Sequence, residues 1–119
     1  MPSQKDFLKD IIERAPVNSI WQISVDSWPA LKEILSDVSL IDDLYIKVII
    51  TQSSRGELLA LIDKYPFHDW IIHQSIIDPL NVCLMNSFDH MSTLAINHSF
   101  PDSESLLLKY KDEDLLFIE

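Results

Sequence analysis

Glycine is almost missing from this chain: Gly56 is the only one among 119 residues, against an ordinary usage of about 7%. Phosphate-cradling loops and dinucleotide fingerprints need several glycines so that the backbone can approach a pyrophosphate, and both are excluded here. Left-handed backbone positions must fall to Asn or Asp, or be avoided by longer loops. Cysteine is equally scarce. Cys83 stands alone, so no internal disulfide can form, which fits a reducing compartment. Apolar runs are short, Val48-Ile49-Ile50 being an example, and none is expected to span a bilayer. Met1 to Asp6 leads straight into an amphipathic pattern with no apolar signal core, so the expected location is cytoplasmic.

Positive charge is the next deficit. Between Tyr65 and Leu108 there is no lysine and no arginine, yet Asp69, Asp78, Asp89, Asp102 and Glu104 remain, as do all four histidines. Nine cations against 19 acids give a formal charge of −10. The imbalance is uneven: residues 1–64 hold seven cations and ten acids, residues 65–119 two cations and nine acids. A chain so charged repels polyanions and attracts basic surfaces. Nucleic-acid binding is disfavoured, because affinity for DNA or RNA comes largely from Lys and Arg neutralising phosphates.

What is present suits one folded domain over residues 1–119. Apolar residues make up 47% and charged residues 24%, a globular balance at a common domain length. Ser3 and Asp6 open a helix with Phe7, Leu8, Ile11, Ile12 and Ala15 at helical spacing before Pro16. Trp21, Ile23 and Val25 then alternate with Gln22, Ser24 and Asp26 as a strand with one wet face. Ser27-Trp28-Pro29 opens a second helix, and Leu44–Thr51, apolar on both faces, reads as a central strand. Ser54-Arg55-Gly56-Glu57 has capping-box form ahead of a third helix that ends before Pro66. Strands are predicted over 70–77, 80–86 and 91–99, and a hairpin over the tail, with 103–110 as an alternative helix. The resulting class is α+β: a mostly antiparallel or mixed sheet with about three helices packed on one face.

No constellation dictates a reaction. His68 and His73, or His90 and His98, match neither the i, i+4 helical pair nor the C-x-x-C spacing of a metal site, so no metal or cofactor is expected. Cys83 lies between Val82 and Leu84 in strand-like sequence, where a thiol behaves as a small hydrophobe. Ser92, Ser99 and Ser103 lack the context of an activated nucleophile. The charge asymmetry is what remains. It predicts an electronegative surface built by the turns near Asp78, Asp89, Asp102–Glu104 and Asp112–Asp114, suited to encounter with a basic protein. Candidate polar contacts are Asp89, Asp102, Glu104, Asp112, Glu113 and Asp114, with Trp70 or Phe88 as an aromatic anchor.

A small, acidic, glycine-poor α+β chain without a catalytic motif resembles the immunity proteins of bacterial toxin systems, including those of contact-dependent growth inhibition. The resemblance lies in general character and rests on no motif. It implies a non-enzymatic inhibitor that binds a basic toxin domain, such as a nuclease, and occludes its active site, with carboxylates standing in for substrate phosphates. Two other classes fit the same composition: a small enzyme or ligand-binding domain using His73, Cys83 or His98 in a pocket against the sheet, and an adaptor subunit of a larger assembly.

Overall fold

Ser3 starts helix α1 (Gln4–Arg14) with a reciprocal cap: its hydroxyl accepts from the Asp6 N–H at 3.1 Å while its own N–H donates to the Asp6 carboxylate at 2.9 Å. The computed structural model describes residues 3–27, 29–111 and 116–118. Phe7, Leu8, Ile11 and Ile12 form the buried stripe of α1. Helix α3 (Gln52–Lys64) is capped by Thr51, three residues before the Ser54 start that its S-x-x-E sequence predicts; Ser54 instead supplies the returning side chain of the box. Arg55, one turn inside α3, donates to the main-chain carbonyls of Glu13 and Ala15. It thereby satisfies carbonyls that a helix end leaves without partners, and Asp63, paired with Lys5 and Lys9, binds the same two helices along their length.

Seven strands form one sheet in the order β2-β3-β1-β4-β5-β6-β7. They are β1 (Ser19–Ser24), β2 (Ser39–Ile41), β3 (Tyr45–Ile50), β4 (Gln74–Ile77), β5 (Cys83–Phe88), β6 (Thr93–Asn97) and β7 (Leu116–Ile118). All neighbours are antiparallel except β6 and β7. Period-two alternation decides which side chains meet the helices. Trp21 faces Val48 on one side and Ile76 on the other, and Ile23 faces Ile46 and Gln74. Trp21, Ile23, Ile46, Val48 and Ile76, with Ile50, Met85, Leu94 and Ile96, are buried in one core with Phe7, Leu8, Ile11 and Leu58. The indole N–H of Trp21 donates to the Gln74 side-chain oxygen at 2.8 Å, so the largest core ring leaves no buried donor unmet. The α+β class, with helices on one face of a largely antiparallel sheet, is as the sequence predicts.

Several boundaries differ. β3 is the second strand from an edge; its buried face is Ile46, Val48 and Ile50, and its open face is Tyr45, Lys47 and Ile49, the last 48% exposed. The strand predicted over 70–77 forms only from Gln74; Trp70 closes a single helical turn, α4 (Phe67–Trp70), and Phe67 and Ile71 are buried one turn apart. β2 goes unpredicted because three residues are too few to establish a period. It lies beyond the short helix α2 (Ala30–Ile34), whose Leu31 is buried. The tail is not a hairpin: residues Ser103–Lys109 form helix α5, and β7 joins β6 in parallel. Ser103, Leu106 and Tyr110 share the buried side of α5, a helical interval, whereas Leu108 is 73% exposed.

Candidate functional site

Among the described residues, no helix covers the second face of the sheet. Ile20, Gln22, Tyr45, Lys47, Ile49, Ser75, Asn86 and Phe88 alternate onto it, partly or largely exposed. At one end of the sheet, β1 and β5 finish while β3, β4 and β6 begin, as the pairings Ser24–Tyr45, Gln74–Ser87 and Phe88–Thr93 require. A cavity of about 400 Å³ opens there. Gln22, Ser24, Ser75 and Asn86 give it a polar floor, Leu44, Tyr45, His73 and Phe88 its walls, and Asp26 its charge. Ser75 donates to the Asn86 side-chain oxygen at 2.6 Å, and the His73 ring meets the Phe88 ring edge-on at 5.2 Å.

Two loops set the rim. Asp42 accepts from the N–H groups of Leu44 and Tyr45 at 2.8 and 2.7 Å, and these bonds, together with Lys47, hold its carboxyl below the usual range. The turn thus fixes Leu44 and projects Asp43 into solvent. After Phe88, the three residues Asp89, His90 and Met91 all adopt left-handed backbone with φ between 52° and 64°. Each such non-glycine position costs about 1–2 kcal/mol. Asn or Asp fills the other left-handed positions, Asn18, Asn81 and Asp102, whereas His90 and Met91 depart from that expectation. The strain is offset by anchors: Met91 is buried, its carbonyl accepts from the Gln4 amide at 3.0 Å, and His90 Nδ1 lies 2.7 Å from the Asp69 carbonyl.

The carboxylates differ sharply in company. Asp10 is bonded by Arg14 and Lys109, Asp63 by Lys5 and Lys9, and Asp102 lies 3.5 Å from Arg14. Among the described residues, no Lys or Arg lies within ion-pair distance of Asp26, Asp43 or Asp89, and the same holds for Asp6, Glu33, Asp37, Glu57, Asp78 and Glu104. Lys47, the one Lys or Arg on this part of the open face among the described residues, is matched by Asp42 at 3.3 Å.

The residues predicted to bind a partner do not all meet here. Phe88, 43% exposed, and Asp89 are at the cavity end. Asp102 and Glu104 begin α5, beyond the opposite end of β6. Trp70 is half-buried against Tyr65 and Phe67, within the helical side. Asp112, Glu113 and Asp114 lie outside the described residues. Of the nucleophile and histidine candidates, His73 lines the cavity, while Cys83 does not line it but has its thiol beside the floor residues Ser75 and Asn86, where burial pushes its pKa up. Sequence reasoning missed Asp26, Asp43, Leu44 and Tyr45 as site residues; the only signal for the first two was that they flank strands without a neighbouring cation. Compared with family models, curated proteins and solved structures, the chain matches none.

Proposed function

We propose that this chain is a non-enzymatic binding protein that engages a basic protein partner through the cavity end of its open sheet face. Its role would be that of an immunity protein neutralising a basic toxin domain in the cytoplasm. The observation that carries the proposal is the placement of Asp26, Asp43 and Asp89, none of them in an ion pair with a described Lys or Arg, around a partly exposed apolar patch of Leu44, Tyr45 and Phe88 at one cavity. Unmatched carboxylates raise the encounter rate with a cationic surface, and aromatic and aliphatic side chains at the centre of such a patch supply the short-range attraction. A partner whose substrate-binding groove is seated on this face would be closed to its phosphate substrate. Nucleic acid itself is disfavoured at a face whose unmatched charges are all negative.

A pocket enzyme is the weaker alternative, since His73 turns to Phe88 while the Cys83 thiol meets Ser75 and Asn86, and burial pushes that thiol's pKa up. An adaptor role would use the same face and differ only in the partner. The test is co-expression with the basic product of a toxin-like reading frame adjoining this gene. Growth rescued by the wild-type chain, and lost with D26N/D43N/D89N while that variant stays folded, supports the proposal. Rescue by the triple variant equal to wild type overturns it.

A further inference from the structure

We propose that the open-face cavity receives an arginine side chain of the partner. This rests on the proposed function only in assigning that arginine to a basic protein; the cavity's preference stands on its own chemistry. Asp26 is a carboxylate at the cavity without an ion-pair partner among the described residues, and neither lysine nor arginine lines the space. An incoming cation therefore meets a single uncompensated negative charge.

The walls select among cations. Tyr45 and Phe88 offer aromatic surface, and the edge-on contact with His73 steadies the Phe88 ring. A guanidinium is planar, weakly hydrated and stacks on such rings, whereas an ammonium is a compact, strongly hydrated point charge. The floor adds acceptors. Gln22 contributes a side-chain oxygen with no partner among the described residues, and Asn86 Oδ1, bonded once by Ser75, keeps a second lone pair. A guanidinium brings five N–H donors in a planar fork to this set and the Asp26 carboxylate, where an ammonium brings three from one point. At about 400 Å³ and open to solvent, the space admits the long side chain end-on.

The experiment is a titration of the isotopically labelled full chain with capped pentapeptides of sequence Gly-Gly-X-Gly-Gly, where X is arginine, lysine or citrulline, followed by backbone amide NMR. Arginine peptide should shift the amides of Gln22, Ser24, Ser75 and Asn86 saturably, with citrulline and lysine each at least fivefold weaker. D26N should reduce arginine binding to the citrulline level, and Q22L should weaken arginine more than lysine. D89N, outside the cavity, should leave the order of the three peptides intact. Equal binding of arginine and citrulline, or of arginine and lysine, overturns the assignment, as do shifts centred elsewhere. Peptide selectivity with no protection in co-expression would remove the immunity role and leave the cavity assignment standing. Protection without peptide selectivity would do the reverse.

Discussion

The Tyr110 hydroxyl donates to the Asp10 carboxylate across the contact of α1 with α5, joining residues a hundred positions apart. Tyr110 is fully buried and its ring meets Phe7 edge-on at 5.1 Å. Burial, and then the Asp10 bond, push the phenol's pKa far up, so the hydroxyl stays protonated and always donates. Hydrogen bonds to charged groups contribute about 1.5–3 kcal/mol. Tyr110→Phe keeps the ring and removes the bond. Urea denaturation should show it less stable by about 2 kcal/mol, with an unchanged slope; a loss under 0.5 kcal/mol, on the order of a neutral surface change, would contradict this role.

The same carboxylate sets an acid limit. Burial raises the Asp10 pKa, but hydrogen bonds from Lys109 and Tyr110 and the charge of Arg14 outweigh it, and the net shift is downward. A carboxyl depressed in the folded state contributes stability above its unfolded value, near 3.9. That contribution is lost as pH falls below this value through the folded pKa. Between about pH 5 and pH 2, wild type should therefore lose stability more steeply than D10N. Parallel curves would contradict the assignment.

Gly56 makes no use of its conformational freedom. It lies inside α3, its φ is not positive, and a Cβ built there meets nothing within 4 Å. Alanine in a helix interior is favoured over glycine by about 0.8–1 kcal/mol. Gly56→Ala should raise the thermal midpoint by several degrees, which calorimetry reads directly; an unchanged or lower midpoint would show that the α3 backbone is not as described.

Where the chain repeats a period over two turns or several alternations, the fold is legible from sequence. α1 and β1 are such segments, with their caps and faces as expected. Elsewhere the physical signal is short or shared. Leu106-Leu107-Leu108 is a run that suits a strand, and its helical stripe is completed by Ser103, a residue that carries no hydrophobic signal. β2 and α4 each span only three or four residues. The site is harder still. Asp89 and Phe88 were within reach of the charge argument, but Asp26 and Asp43 join them only because β1, β3 and β5 present the same end. Conversely, Asp102 belonged to the same acidic half of the sequence and is matched by Arg14, a partner from the first helix that composition cannot reveal.

The most direct test is the association rate of the chain with its basic partner, measured by stopped flow at about 20 and 200 mM salt, ionic strengths at which screening lengths differ about threefold. D26N/D43N/D89N should slow association at least tenfold at the lower salt and flatten the salt dependence. The control D102N/E104Q, which removes nearly as much charge from the other end of the sheet, should stay within about twofold of wild type. If the two variants slow association equally, or only the control does, the partner does not dock at the cavity end of the open face.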